Sequence, residues 1–419
     1  MVAIPSFPWL ARRERPAWCR SALARDPSLQ GAVDGLIRQL SGAGPADLAL
    51  LFASASYASD LPRLLPLLQQ RLQARHWIGC VGAGIVGTDA EGAARELEHE
   101  PALSLTLLHL PGARLHPFQL DLPALPDLDG PAEPWRAAVG AGSEEMKGML
   151  LLIDPACQAI NDLVGGLDYA YPQLPKIGGV AGQHSAPHGS LLFADQVCGG
   201  AVGCLIGGAW RLDPVLAQGC RPIGPVFEVE QAQRNVVLQV SLGEERRSPV
   251  QALQSILGGL SPAEREKVKD SLLLGVGRSD FSLSEPEGGE PPAPAFLVRN
   301  LIGVDPRNGA VAVGDRMRIG QKVQFQLRDA ASAREESRQL LLEQQRRPGG
   351  EPLAGLLFAC LGRGRGFYGQ PDGDVSLCRE RFARLPIGGV FCNGEIGPVG
   401  ASTHLHGYTA SWGFLVPEA

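Results

Sequence analysis

The chain lacks any apolar run of the roughly 18 residues that a membrane-spanning helix needs. Its longest candidate, Cys198 to Trp210, is too short and contains five glycines. The first sixteen residues, MVAIPSFPWLARRERP, place their charges after the apolar stretch and interrupt that stretch with two prolines. A secretory signal has the opposite order, with its charges first. These absences predict a cytoplasmic protein.

Lysine is scarce, because only five of the 38 cationic residues are lysine, and no block of basic residues stands out. The 44 acidic residues give a formal net charge of −6. The chain therefore lacks the basic footprint of a protein that binds nucleic acid or an anionic membrane. Its nine cysteines are odd in number and scattered, often within apolar runs. That distribution predicts reduced thiols in a reducing compartment.

Recognisable catalytic motifs are also lacking. The sequence has no nucleophile, base and acid at a known spacing, no set of four metal ligands and no Walker loop. The segment Gly82-Ala83-Gly84 with Gly87 superficially resembles a dinucleotide fingerprint. No acidic residue follows a second strand at about 20 residues, as that fingerprint requires. We therefore expect a non-catalytic protein with no cofactor.

One pattern that is present occurs three times: an apolar run, a helix-like stretch and a short Ile-Gly segment. The copies begin at LALLFAS (48–54), MLLLID (149–154) and GLLFAC (355–360). They end at WIGCVGAG (77–84), KIGGVAG (176–182) and PIGGVFCNGEIG (386–397). A strand, a helix and a second strand of these lengths predict β-α-β units with parallel strands. In the middle copy the pattern predicts a helix capped by Asp154, with Pro155 at its first position.

Glycines follow the isoleucine in each copy, and two interpretations of them are open. Gly178, Gly179, Gly388 and Gly389 either allow a tight bend in a sheet or form a floor of bare backbone. Such a floor would let a small molecule rest against the main chain. The second interpretation is our hypothesis for part of a ligand site.

A turn-rich segment, residues 217–225, is the candidate domain boundary. The patterns together predict a mixed α/β fold of two sandwich-like domains, residues 1–222 and 223–419. Each domain is expected to contain mixed sheets flanked by helices and built from the β-α-β units. Residues 282–294 contain four prolines and predict a surface loop within the second domain.

Three local signals mark elements of the second domain. Ser261 and Glu264 have the spacing of a capping box at a helix start. Asp329 is placed to cap a helix that runs to about Gln345. The alternation in residues 322–328 predicts a strand whose apolar side chains face inward.

Five segments together are similar to the FIST family in its C-terminal half: RNLIGVDPRNGAVAVGD, QFQLRDA, LLFACLGRGRGFYG, PIGGVFCNGEIGPVG and HLHGYTASWGFL. The segments WCRSALARDPSLQGAV, WIGCVGAG and KIGGVAG resemble its N-terminal half, so the resemblance runs from about Trp18 to Leu415. It implies a stand-alone member of bacterial type, with two α/β domains that sense a small ligand. Amino acids are suggested as ligands in the family. Some bacterial relatives are reported to bind haem, and a eukaryotic relative carries an F-box.

Cys360 ends an apolar run and precedes a Gly-Arg-Gly-Arg-Gly loop that contains Arg363 and Arg365. Two guanidinium groups directed at the thiol would lower its pKa and make a reactive thiolate. The same loop offers amide donors and bidentate forks for a carboxylate or phosphate. The alternative is a buried structural cysteine beside a solvated basic loop.

Polar residues near the third Ile-Gly segment suit an amino-acid zwitterion. Asn393 offers a donor and an acceptor, and Glu395 can bind an ammonium group, particularly if it faces Arg363 or Arg299. Arg328, at a strand end, is a further candidate for a pocket. The alternative for each of these residues is a surface turn or a structural salt bridge.

His404 and His406 alternate, so on a strand both imidazoles share one face. That arrangement permits one of them to act as an axial haem ligand. A metal site gains no support, because no further ligand stands at a suitable spacing. A hydrogen-bonded histidine near a sheet end is the alternative.

The sequence therefore predicts an intracellular, non-catalytic sensory module that binds an amino-acid-like or anionic small molecule. The ligand-site candidates are Cys360, Arg363, Arg365, Asn393, Glu395, Arg299, Arg328 and His406. A haem-binding gas sensor and an enzyme with Cys360 as nucleophile are the alternatives. We expect signal output through a separate protein partner, with no nucleic acid and no membrane involved.

Overall fold

The computed structural model of the chain describes residues 16–121, 125–277 and 296–418. Residues 1–15 and the predicted loop 282–294 lie outside the described residues. The helices are α1 (Leu29–Gln39), α2 (Leu61–Gln69), α3 (Glu133–Val139), α4 (Ile160–Ala170), α5 (Pro249–Leu257), α6 (Pro262–Ser271), α7 (Ala330–Arg346), α8 (Arg365–Tyr368) and α9 (Gly373–Arg381). No helix in these ranges is both long enough and apolar enough to cross a bilayer.

The strands before residue 223 are β1 (Trp18–Arg25), β2 (Ala46–Ser54), β3 (Ala74–Gly82), β4 (Gly84–Thr88), β5 (Ala94–Glu98), β6 (Ala102–His109), β7 (Ala113–Leu120), β8 (Met146–Ile153), β9 (Lys176–Val180), β10 (Leu191–Phe193), β11 (Gln196–Cys198), β12 (Ala201–Gly208), β13 (Trp210–Ala217) and β14 (Cys220–Pro222). The later strands are β15 (Phe227–Gln233), β16 (Val236–Leu242), β17 (Glu245–Arg247), β18 (Leu272–Gly277), β19 (Phe296–Val304), β20 (Val311–Val313), β21 (Lys322–Arg328), β22 (Ala354–Cys360), β23 (Ile387–Cys392), β24 (Glu395–Val399), β25 (Ser402–His406) and β26 (Ala410–Pro417).

Three six-stranded sheets surround one apolar core. Their strand orders are β1-β6-β2-β3-β10-β11, β25-β24-β9-β8-β12-β7 and β13-β26-β22-β23-β4-β5. The shared core takes side chains from all three sheets, including Phe52, Leu150 and Phe358. Helices cover the outer faces: α1 and α2 pack on the first sheet, α3 and α4 on the second, and α7 and α9 on the third. The predicted mixed α/β class is confirmed.

Each of these three six-stranded sheets contains one of the three β-α-β units. The pairs β2–β3, β8–β9 and β22–β23 are parallel, as the sequence pattern predicts. Their second strands meet at the centre of the molecule through a closed set of backbone hydrogen bonds. Ala83 N donates to Phe391 O at 3.2 Å, Asn393 N to Val180 O at 2.9 Å and Gly182 N to Val81 O at 2.7 Å. The carboxyl ends of these three strands are therefore tied together.

The fourth sheet closes on itself, which the sequence did not predict. The order β21-β15-β16-β20-β19-β18 returns to β21 through a β18–β21 pairing. Val323, Phe325 and Leu327 of β21 face the interior of this barrel, as the alternation predicts. Closure removes the free edges that an open sheet of this kind would present. We call the described residues 223–277 and 296–328 the barrel.

The predicted division at residue 222 falls between β14 and β15 and stays a prediction. The strands after the barrel return to the sheets built before it: β22, β23 and β26 join the third sheet, and β24 and β25 join the second. The barrel is therefore an insertion between β13 and α7 in terms of sheet membership.

Two predicted helix starts are in place and one is wrong. Ser261 and Glu264 form the capping box of α6, and Asp329 caps α7 by accepting from Ser332 N. Asp154 does not cap α4, which begins only at Ile160. Its carboxylate instead accepts from Ala156 N and Ser190 N, so it stabilises the turn before the helix and a neighbouring strand.

Candidate functional site

A cleft of about 790 Å³ lies between α4, the segment around β25 and the barrel wall at β19. Its walls are residues 161, 164, 165, 168 and 169 of α4, residues 298–300 and 314–315 of the barrel, Asn393 and residues 402–408. We call it the α4–barrel cleft. Ligand sites commonly lie between two packed units in this way.

One face of α4 supplies the first wall. Asn161, Gly165 and Asp168 recur at helical spacing and turn away from the buried face that holds Leu163 and Leu167. A Cβ atom added at Gly165 would meet no other atom within 4 Å. The glycine therefore leaves space in the cleft that a larger side chain would fill.

Asp168 is held by a fully buried cation. Its Oδ1 accepts from Lys176 Nζ at 3.0 Å and from Thr403 N at 3.1 Å. Lys176 Nζ also donates to Tyr171 O and Leu174 O, each at 2.9 Å. Burial lowers the pKa of Lys176, and the neighbouring Asp168 opposes that shift. The Asp168 carboxylate therefore reaches the cleft with its charge compensated from behind.

Arg299 lines the barrel wall opposite. Its Nε donates to Asp315 Oδ2 at 2.8 Å, and its Nη1 donates to Leu405 O at 3.0 Å across the cleft. Two of the three guanidinium nitrogens are engaged in these bonds, which fix the plane of the group. Asp315 also lines the cleft, and its salt bridge with Arg299 means that this second carboxylate is paired as well.

His404 and His406 line the cleft from β25, with ring centroids 6.2 Å apart. His406 Nε2 lies 2.9 Å from Gly397 O. Burial lowers the pKa of His406 to about 4, so its ring is neutral at pH 7. A neutral ring that donates through Nε2 carries its acceptor lone pair on Nδ1. The described residues contain no group of three or more His, Cys, Asp or Glu side chains placed to hold a metal.

Tyr408 separates the cleft from the interior. It lies on the cleft wall with a backbone φ of +66°, which is uncommon for a residue other than glycine. The centroid of its ring lies 4.6 Å from Arg328 Cζ, which also lies 4.2 Å from the centroid of the Phe367 ring. Arg328 therefore makes cation–π contacts with two aromatic rings, and it does not line the cleft.

Arg363 is buried and belongs to an internal ion pair. Its Nε donates to Asp374 Oδ2 at 2.8 Å and its Nη2 to Asp374 Oδ1 at 2.6 Å. Its Nη1 donates to Tyr408 O at 3.2 Å. The predicted role of Arg363 as a ligand fork is therefore wrong, because Asp374 already occupies the bidentate face. Arg365 is exposed, lies outside the cleft and uses its backbone N–H to bind Glu98.

Glu395 is also in the interior. Its Oε2 accepts from Thr409 N at 3.1 Å and Thr409 Oγ1 at 2.8 Å, and the residue is fully buried. Burial raises the pKa of Glu395 to about 8. Arg363 and Glu395 thus lie on either side of the Tyr408–Thr409 segment, in packed protein. The expectation that they form an open zwitterion site does not hold.

The Cys360 thiol is not activated. Burial and the nearby Glu395 raise the pKa of Cys360 to about 11, and Arg328 only partly offsets this. The predicted lowering of its pKa is wrong, because Arg363 is directed at Asp374 and Arg328 at two aromatic rings. The geometry favours the structural interpretation of this cysteine.

The predicted glycine floor does not line the cleft either. A Cβ atom at Gly178 or Gly389 would lie about 2 Å from a carbonyl oxygen of the neighbouring parallel strand, Leu151 O or Leu357 O. At Gly179 it would meet Cys392, and at Gly388 it would meet Thr106. These glycines allow strands to pack closely, so the tight-packing interpretation is correct.

Among the sequence-predicted residues, the structure brings Arg299, Asn393, His404 and His406 together in the cleft. Sequence reasoning missed Asn161, Asp168, Thr403 and Asp315. A polar face opposite the apolar face of the middle helix was the available signal for the first two residues. Thr403 and Asp315 gave no local signal, because their roles depend on contacts with distant segments.

Comparison with known proteins finds two family models that match this chain. The FIST N domain matches residues 47–241 and the FIST C domain matches residues 249–398. An uncharacterized protein of Mycobacterium tuberculosis is 34% identical over 384 residues, which cover 90% of this chain and 93% of that protein. An uncharacterized protein of Mycobacterium bovis is 32% identical over 412 residues, covering 96% and 98%.

Two more distant similarities were found. An F-box/LRR-repeat protein of Arabidopsis thaliana is 31% identical over 134 residues, which are 30% of this chain and 25% of that protein. Among solved structures, a cyanuric acid hydrolase from A. caulinodans aligns over 96% of this chain and 100% of its own, at 8% identity and a TM-score of 0.33. A likeness at that score supports no inference about activity.

Proposed function

Because the chain belongs to the FIST family, whose domains are associated with sensory modules of signal transduction, we propose that it is a non-catalytic sensor whose small-molecule ligand occupies the α4–barrel cleft. One observation carries the proposal: polar side chains from three distant segments meet around an open volume of about 790 Å³. A cleft of that size suits a small metabolite.

The charges of the cleft favour a ligand that is polar but has no large net charge. Asp168 is paired with Lys176, and Asp315 is paired with Arg299. Neutral His406 adds no charge at pH 7. A simple anion would find Arg299 already paired with Asp315. A zwitterion instead offers its carboxylate to the wall that holds Arg299 and its ammonium group to the wall that holds Asp168. An amino-acid-like ligand is therefore our proposal.

The thiols support binding rather than catalysis. The thiolate is the nucleophilic form of cysteine, and the pKa of Cys360 is raised to about 11. Burial also raises the pKa of Cys392 well above its ordinary value. These thiols are therefore poor nucleophiles at pH 7. For a non-catalytic sensor we expect signal output through a separate protein that recognises the ligand-bound form.

A thermal-shift screen tests the proposal. The probes are the common amino acids, and for any that binds, the matching decarboxylated amine and deaminated acid. A ligand that binds only the folded protein stabilises it by about 2.7 kcal/mol at 100 times its Kd. We expect one or more amino acids to raise the Tm, and neither the amine nor the acid to reproduce the shift.

Two glycine variants show where the ligand binds. Gly165→Leu fills the cleft without removing a hydrogen-bonding side chain, so it should abolish the shift. Gly142→Leu is the matched control, because a Cβ atom there also meets no atom within 4 Å but lies outside the cleft. Absence of any shift with the amino acids, or an unchanged shift in Gly165→Leu, would contradict the proposal.

A further inference from the structure

The barrel has a hydrophobic core of its own. The cluster that contains Phe227, Val240 and Phe325 draws only on residues 223–327. The other apolar clusters draw only on residues outside that range. A unit that does not share its core with its neighbour can move relative to it as a body.

The chain enters and leaves the barrel at one place. Cys220 pairs with Arg328, and Asp329 N donates to Gly219 O at 3.4 Å. The two crossings therefore lie side by side and can act as a single pivot. Gly219 and Gly224 flank this point with backbone φ values of +71° each. Hinges are commonly a few residues of this kind, where φ and ψ can change.

The contacts between the barrel and the rest of the chain are unevenly distributed. Within the described ranges, most hydrogen bonds between the two parts lie next to the crossings, such as Gln218 Nε2 to Phe296 O and Lys267 Nζ to Asp329. On the cleft side, Arg299 Nη1 donates to Leu405 O at 3.0 Å. That bond is made at the opposite wall of the α4–barrel cleft.

We propose that the barrel is a hinged arm, which pivots at residues 219–224 and 328–329 and closes the α4–barrel cleft, with the Arg299–Leu405 bond as its latch. In the latched form this bond joins the barrel wall of the cleft to the β25 wall. Breaking the latch lets the barrel swing outward and widens the cleft.

The hinge supplies the conformational change that a sensor needs. A ligand that touches both walls has a higher affinity for the closed form and shifts the equilibrium toward it. The magnitude of the shift is limited to the difference between the two affinities. This use of the hinge rests on the proposed function, whereas the hinge itself exists without ligand.

Variants of the ligand-free full-length chain test the hinge. Arg299→Ala removes the latch, Arg299→Lys keeps a cationic donor near Asp315 and Leu405 O, and Arg316→Ala is a control at the exposed residue next to Asp315. Small-angle scattering reports overall shape. Hydrogen exchange at α4 reports opening of the cleft, because Arg299 makes no hydrogen bond to that helix. Exchange at β21 reports on the barrel core.

We expect Arg299→Ala to increase the radius of gyration and to speed exchange in α4 several-fold, with β21 unchanged. Arg299→Lys should show a smaller increase in both the radius of gyration and the α4 exchange rate, and Arg316→Ala should match the native chain. Unchanged shape and unchanged α4 exchange in Arg299→Ala would overturn the proposal. Faster exchange in β21 would also overturn it, because Arg299 would then stabilise the barrel rather than hold it shut. Since no ligand is used, failure here leaves the ligand site itself untouched.

Discussion

Glu395 and Glu96 are carboxyl groups enclosed in the interior without a salt bridge. Burial raises the pKa of each to about 8 from an ordinary value of 4.5. Glu395 accepts two hydrogen bonds from Thr409, and Glu96 accepts from Asp374 N and Val375 N. A buried carboxyl without a cation is more stable with its proton, because burial disfavours the charged form.

This raised pKa predicts that stability falls as pH rises. The folded chain keeps the two protons up to about pH 8, whereas the unfolded chain releases them near pH 4.5. The stabilisation is therefore fully present below pH 4.5 and is lost as pH rises through 8, at up to about 1.4 kcal/mol per pH unit for each group. Glu395→Gln imitates the protonated acid and should flatten this slope. Urea unfolding at several pH values between 5 and 9 checks it, and an unchanged slope in the variant would refute the assignment.

The Arg363–Asp374 pair predicts a large loss of stability when it is broken. Both side chains are almost fully buried, so Arg363→Met leaves a buried carboxylate without its cation. Removal of one member of such a pair costs about 3–5 kcal/mol. Arg365→Met is the control, because this exposed neighbour should change the free energy of unfolding by less than about 0.5 kcal/mol. Equal effects of the two substitutions in urea unfolding would contradict the pairing.

At the scale of the element, α4 carries both the structure and the proposed site. Its buried face holds Leu163 and Leu167 in the core, while its opposite face forms the cleft. Lys176 Nζ donates to Tyr171 O at the C-terminal end of the helix and also donates to the carboxylate of Asp168, which fixes that side chain. The position of the helix relative to β25 is therefore set by a side chain that lies entirely beneath the cleft.

Gly165→Ala should stabilise α4. The position is helical, and a Cβ atom there meets nothing within 4 Å. Alanine is more favourable than glycine in a helix by about 1 kcal/mol. Thermal unfolding should therefore show a higher Tm for this variant, in contrast to Gly165→Leu, whose test is ligand binding. A lower Tm would mean that the space next to Gly165 is filled by another side chain.

The three β-α-β units could be predicted from sequence because their signals are local. Each unit lies within about 40 residues, with its apolar runs and glycines in order, and a parallel pair follows from that order. The start of α4 was misplaced because Asp154-Pro155 resembles a helix start, whereas Asp154 accepts from Ser190 N, just before the distant strand β10. Barrel closure was missed because the β18–β21 pairing joins segments about 50 residues apart.

The candidate site was predicted only in part for the same reason. Arg299 and Asn393 stand near recognisable motifs, but Asp168 reaches the cleft only because Thr403 and Lys176 hold it there. The emphasis on Arg363 and Glu395 was misplaced because a charged side chain in a glycine-rich turn is expected to be exposed. The sequence contains no signal that Asp374 and Thr409 bind them in the interior.

At the scale of the whole molecule, two separate cores predict two separable unfolding events. Phe325 packs in the barrel core, and Phe358 packs in the core that the three sheets share. Truncation of a buried phenylalanine to alanine costs about 3–5 kcal/mol. In calorimetry, Phe325→Ala should lower the transition of the barrel, and Phe358→Ala should lower that of the three sheets. A single transition that both substitutions lower equally would show that the two parts unfold as one.

The barrel and the three sheets together define the cleft, and its occupation by a zwitterionic ligand is the central claim. A crystal structure with the amino acid that gives the largest thermal shift measures this directly. We expect ligand density between α4 and β19, in contact with Arg299 and Asp168. Density in another cavity, such as that beside Asp154 and His188, with the α4–barrel cleft empty, would contradict the account.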